Sequence, residues 1–167
     1  MSQSPCPVCG RVHEELPIYA FEGPAFWKSA TPEERERDFR MGPDLCRYKD
    51  EHFLIRTRLQ VPIKDSPGEA LEFGVWVAVS RQNYNSYRTV YLEIDASRMG
   101  VFYGWLANAL PGYPNTVNLK VAIAPQNDRM RPFVKVIENH EHPLQGAQED
   151  GITRDEAQRY LHERGDF

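Results

Sequence analysis

Apolar and polar residues alternate with a period of two over two stretches of the chain, the pattern of strands with one buried face. Between Phe53 and Val61, residues Phe53, Ile55, Thr57, Leu59 and Val61 share one face, and Leu54, Arg56, Arg58 and Gln60 the other. Leu71 to Ser80 alternates in the same way, with Phe73, Val75, Val77 and Val79 on one face and Trp76 and Ala78 on the other. The turn-forming run Asp65-Ser66-Pro67-Gly68 between them predicts an antiparallel pair. Further strands are predicted at Val117 to Ala124 and Phe133 to Glu138.

Helical signals fall outside these runs. Thr31-Pro32-Glu33-Glu34 is a capping box with proline at the first helical position, and Gly42-Pro43 stops the helix it opens. Ser80 can cap a helix that places Tyr84, Tyr87 and Tyr91 on one face. A second capping box, Thr153 to Glu156, opens a final helix with Ala157, Tyr160 and Leu161 turned inward. The aromatic stretch from Tyr19 to Trp27, broken by Gly23 and Pro24, reads as irregular chain packed on the core. The tally is an α+β fold, a mainly antiparallel sheet with a few helices packed on one face. One domain is expected over 1–167, comprising an N-terminal segment 1–50, a sheet core 51–140 and a C-terminal helix 151–164.

Composition narrows the class. With 41% hydrophobic and 26% charged residues the chain is globular in character. A formal charge of -4 gives no general attraction to phosphates, and no basic patch is evident, so no nucleic-acid partner is expected. The fifteen arginines against five lysines permit carboxylate or phosphate recognition, although genome base composition explains that ratio equally simply. No leader pattern occupies the first residues and no apolar run reaches membrane-spanning length, so a cytoplasmic protein with reduced thiols and no membrane partner is expected.

Against that background three cysteines fit metal binding better than a disulfide framework. In Cys6-Pro7-Val8-Cys9-Gly10 two thiols separated by two residues can bite one tetrahedral ion, while Gly10 lets the backbone turn tightly. Cys46, the remaining thiol, and His13, four positions after Cys9, complete an expected zinc knuckle of Cys6, Cys9, His13 and Cys46. His142, His140 and His52 are alternative fourth ligands. A redox pair or plain thiols are the competing readings of the CxxC, but Pro17 and the mixed pattern before it argue against the helix a redox pair uses. Cys-rich sites are mostly structural, which favours a staple over a hydrolytic centre with Glu14 or Glu15 as base. The P-C-x-x-C half of a zinc deaminase is present, but its H-x-E partner, His13-Glu14-Glu15, follows it instead of preceding it.

Other residues carry weaker chemistry. Arg56 and Arg58 share a strand face opposite Trp76 and can form a ligand surface or a solvated sheet face. His140-Glu141-His142-Pro143 can supply a base or simply a hydrogen-bonded turn. No phosphate loop, nucleophile elbow or H-E-x-x-H helix occurs, and no catalytic residue or organic cofactor is assigned.

Taken together, Cys6-Pro7-Val8-Cys9-Gly10 with His13 and Pro17, Asp44-Leu45-Cys46, Phe53-Leu54-Ile55-Arg56 and Phe73-Gly74-Val75-Trp76-Val77 form a specific set. Gly104-Trp105-Leu106-Ala107-Asn108, Leu110-Pro111-Gly112-Tyr113-Pro114, Arg131-Pro132, His142-Pro143-Leu144 and Gly151-Ile152-Thr153 extend it. On these residues the chain resembles a mostly bacterial family, domain of unknown function 2199. The resemblance implies that His13 and Cys46 belong to one pattern with the CxxC, singles out His142, and implies no activity. It also draws attention to the aromatic segment Gly104 to Pro114, either a binding loop or a core corner. The expected function is therefore a noncatalytic binding or interaction module with structural zinc. An unknown protein or small ligand is its partner, met by Arg56, Trp76, Trp105, Tyr113 and His142. A zinc- or histidine-dependent hydrolase and an immunity-type or regulatory protein that blocks a partner are the alternatives.

Overall fold

The two alternating stretches become the longest strands of the fold. A computed structural model describes residues 4–164, so the ends of the expected span 1–167, residues 1–3 and 165–167, lie outside the described residues. The strands are β1 (Tyr19–Ala20), β2 (Phe39–Met41), β3 (Leu45–Tyr48), β4 (His52–Pro62), β5 (Ala70–Val79), β6 (Phe102–Leu106), β7 (Lys120–Ala124) and β8 (Phe133–Val136). The α-helices are α1 (Ala25–Lys28), α2 (Pro32–Asp38), α3 (Arg81–Val90), α4 (Pro143–Asp150) and α5 (Arg154–Glu163). Among the described residues no helix is long and apolar enough to cross a membrane.

β4 and β5 form the expected antiparallel hairpin in a register that sets Phe53 against Val79, Thr57 against Val75 and Val61 against Leu71. The class is α+β, but the sheet is not an open layer. β5 continues through β6, β7 and β8, and β8 returns to pair with β4 in parallel, closing a five-stranded barrel. Closure removes two sheet edges. The inward alternating residues, with Leu106, Val121, Ile123, Val134 and Val136, fill one core. β2 and β3 extend the sheet beside β4, and β1 pairs in parallel with β5.

The helices do not share one face, which corrects the expected arrangement. On α3, Tyr84 meets Phe53 and Tyr87 meets Phe102, with ring centroids 5.1 and 6.2 Å apart. Tyr160 of α5 meets Phe73 at 5.6 Å, and Phe73 pairs with Leu59, well along β4 from Phe53. A second apolar cluster lies on the outer side of the barrel wall, where Phe39, Cys46, Leu54, Trp76 and Ala107 are buried with Phe21 and Trp27 against them.

Several boundaries differ from the sequence reading for local reasons. Thr31 does cap α2, accepting from the Glu34 amide at 3.2 Å, but the helix ends at Asp38 because Phe39–Met41 pairs with β3. The aromatic segment expected from Gly104 as a binding loop or core corner begins inside a strand, Phe102–Leu106, whose Phe102 and Leu106 point inward and whose Tyr103 and Trp105 are exposed. Gly104 hides that alternation. His142 opens the unanticipated α4, its side chain accepting from the Leu144 amide at 3.0 Å.

Candidate metal centre

Cys6 and Cys9 sit on a tight turn before any regular element begins. The Gly10 amide donates to the Cys6 carbonyl at 2.9 Å and the Cys6 amide to the Arg11 carbonyl at 2.8 Å. Gly10 has φ +74°, a left-handed conformation that glycine adopts without a Cβ penalty. The turn therefore folds back on itself and presents both sulfurs to one side. His13 follows, its Nε2 3.3 Å from Cys9 Sγ.

The fourth member comes from the other end of the chain. Donor atoms of Cys6, Cys9, His13 and His162 all lie within 4.8 Å of one another. His162 stands near the end of α5, and its ring meets that of His13 edge-on with centroids 5.5 Å apart. Two features fix that helix. Thr153 accepts from the Glu156 amide at 3.1 Å, as the capping box predicts, and the Arg154 amide donates to Asp65 at 2.8 Å. The Arg154 side chain donates to the His13 carbonyl and pairs with Glu69. The knuckle is thereby held against α5 and the β4–β5 turn.

Two sulfurs and two imidazole nitrogens are a tetrahedral zinc set. Bonds of about 2.0–2.3 Å in that geometry separate ligand atoms by roughly 3.3–3.8 Å, so small side-chain adjustments close this group around an ion. The electrostatics agree. Burial resists ionisation of Cys6, but the amides of Cys9 and Val8 and the Cys9 side chain outweigh it and bring the thiol below its ordinary pKa. Burial, then the charges of His162, Arg11 and Arg154, lower the His13 pKa and favour the neutral ring that a metal requires.

Cys46 is not part of this group, a correction to the expected ligand set. It lies on β3, paired across to Leu54, fully buried with Phe39, Leu54, Trp76 and Ala107. Burial pushes its thiol up to about 12, so it stays protonated in an apolar setting. His142, His140 and His52 are elsewhere too. His142 Nε2 is 2.6 Å from the Pro114 carbonyl, His140 lies 3.9 Å from Glu149, and His52 neighbours Tyr48 on the barrel wall. Sequence reasoning missed His162 because a lone histidine on a helix carries no spacing signal. Its position one turn after the buried Gln158 on an amphipathic face was the available hint.

The residues expected to form one ligand surface are dispersed. Trp76 is fully buried, its indole donating to the Phe21 carbonyl at 3.1 Å, so it cannot face a partner. Arg56 lies over that ring at 5.9 Å, and its Nε finds no hydrogen-bond partner among the described residues. Arg58 forks onto Glu72 at 2.8 and 3.2 Å. Tyr113 packs on Tyr160, whose hydroxyl donates to the Pro111 carbonyl. The segment after β6 is thus a corner organised by packing. Asn108 completes it, accepting from the Trp76 amide at 2.7 Å and donating to the Gly23 carbonyl at 2.9 Å. Trp105 alone of the set presents a broad exposed ring.

A family model described as an uncharacterised protein conserved in bacteria, domain of unknown function 2199, matches residues 5–152. The match takes in Cys6, Cys9 and His13 and ends before His162. No curated protein and no solved structure matches the chain.

Proposed function

Because the chain belongs to the bacterial family of domain of unknown function 2199, whose description states no activity, we propose from the site itself that this is a noncatalytic, zinc-stapled binding domain. A zinc ion held by Cys6, Cys9, His13 and His162 fastens the N-terminal turn to the last helix. The observation that carries this reading is the convergence of four donor side chains from opposite ends of the sequence within 4.8 Å. Such an ion contributes to folding directly, because the unfolded chain does not hold the four ligands together.

Four protein donors leave no coordination position for water, and an activated water is what a zinc hydrolase needs. That argues for the staple over the hydrolase. Glu14, Glu15 and Glu69 do line a hollow of about 250 Å³, but no donor of the four-membered group is a carboxylate. A cytoplasmic location suits the proposal, since thiols stay reduced there.

The test is metal content by mass spectrometry of the purified protein, alongside its melting temperature. One zinc per chain is expected, lost with a lower melting temperature in Cys6→Ser and His162→Ala and retained in Cys46→Ser. A His162→Ala protein with full zinc and an unchanged melt overturns the ligand set.

A further inference from the structure

On the outer side of the barrel wall, under α1, α2 and the β2–β3 hairpin, lies a cavity of about 460 Å³. That is enough for a small organic ligand. Ala78 and Ala107 lie on its lining together with the rings of Phe26, Phe39, Tyr48 and His52. These rings form one cluster. Phe26 stacks on Phe39 at 5.6 Å, Tyr48 lies 5.3 Å from Phe26 and 4.6 Å from Phe39, and His52 closes the row 5.7 Å from Tyr48.

The charge on this lining is one-sided. Glu34 contributes the carboxylate and His52 an imidazole, and among the described residues neither lysine nor arginine lines the cavity. One Glu34 oxygen accepts from the Thr31 hydroxyl at 3.1 Å, which ties the carboxylate to the helix cap. The neighbouring Arg37 hydrogen-bonds to Asp38 at 2.9 and 3.0 Å and reaches Glu34 through its charge alone. Ring faces carry partial negative charge, so aromatic walls and a carboxylate favour the same kind of guest. One cation already stands beside this cluster, the Lys49 ammonium 5.2 Å from the centroid of the Tyr48 ring.

We propose that this cavity binds a small organic ammonium ion, its alkylated head against the Phe26, Tyr48 and His52 rings and its charge opposite Glu34. A neutral guest gains nothing from the Glu34 charge, and an anion meets repulsion from both Glu34 and the ring faces. The proposal names a ligand class for the binding domain above and is independent of the metal, which lies at the knuckle and α5.

The probe is choline, titrated into the full-length protein of known zinc content by calorimetry and by amide-resolved NMR, beside its neutral isostere 3,3-dimethylbutan-1-ol. Choline is expected to bind about tenfold more tightly than the alcohol, with shifts centred on Phe26, Glu34, Tyr48 and Ala78. Glu34→Gln keeps the helix cap, because glutamine serves the same capping box, and lowers that preference to the part the rings supply. Phe26→Ala, at a residue already 37% exposed, weakens both guests without unfolding the protein. Equal binding of the two guests, an unaltered preference in Glu34→Gln, or no saturable shift at the cavity overturns the proposal. Zinc content is read separately, so a metal-free protein that still prefers choline refutes the staple and leaves the cavity standing, and the converse result does the reverse.

Discussion

The Arg154 guanidinium donates to the main-chain carbonyl of His13, joining the first turn of the last helix to the metal-binding turn at the start of the chain. The same side chain, 4% exposed, pairs with Glu69 on the β4–β5 turn, so one residue ties three segments together. A buried cation needs such partners, and its removal leaves a carbonyl and a carboxylate without their donor. Arg154→Met is expected to lose about 2–4 kcal/mol in urea denaturation and to weaken zinc retention. Arg154→Lys recovers little, because a single ammonium does not reproduce the guanidinium fork. A wild-type urea midpoint for Arg154→Met contradicts this account.

The two kinds of cysteine should separate chemically. Cys9 is exposed on its turn, whereas Cys46 is fully buried with its thiol pushed up to about 12, and only a thiolate attacks an alkylating reagent. In chelator-treated folded protein at neutral pH, iodoacetamide is expected to label Cys9 and to leave Cys46 unmodified until denaturant is added. Peptide mass spectrometry reads the order. Labelling of Cys46 at the rate of Cys9 in the folded state means that the second apolar cluster does not pack as described.

What was legible in the sequence follows the range of each signal. The β4–β5 hairpin and the caps at Thr31, Ser80 and Thr153 depend on neighbours a few residues apart, and all are present. Barrel closure depends on Arg58 and Leu59 meeting Phe133 and Val134, a parallel pairing that no local pattern announces. The same limit acted on the metal site. Cys6, Cys9 and His13 are legible because the chain itself spaces them, but His162 reaches them only after the barrel places α5 beside the knuckle. Cys46 had the right chemistry and the wrong address. Its strand pairs it with Leu54 and Met41, inside an apolar cluster that holds no other ligand among the described residues.

Acid should act on the Arg154 tie through Glu69. Burial alone raises a carboxyl pKa, but the hydrogen bonds from Arg154 and Ser66 and the Arg154 charge outweigh it, and the net shift is downward. A carboxyl whose folded pKa lies below its unfolded value adds stability that is complete above the unfolded pKa and disappears as pH falls through the folded one. Stability of the wild type relative to Glu69→Gln should therefore be constant near neutrality and fall on the acid side of the usual glutamate range. Urea titrations at a series of pH values, with chelator present throughout so that ligand protonation does not contribute, test it. A difference that grows as pH falls has the wrong sign for this pairing.

Two glycines should respond to alanine in opposite directions. Gly104 lies where β6 crosses β5, and a Cβ there meets the Ala78 carbonyl oxygen at 2.4 Å and the Val77 and Val79 methyls at 2.9 and 3.0 Å. The oxygen belongs to a barrel strand and cannot swing aside as a side-chain tip can, so the β5–β6 contact must open. Gly104→Ala is expected to cost about 3 kcal/mol, measured by urea denaturation. Gly146 lies inside α4, where an added Cβ meets nothing within 4 Å among the described residues and φ is not positive, so Gly146→Ala only restricts the unfolded chain and favours the helix. A gain of roughly 0.5–1 kcal/mol is expected there. A neutral Gly104→Ala places the strand crossing elsewhere, because no unstrained side chain fits between β5 and β6 at the described separation.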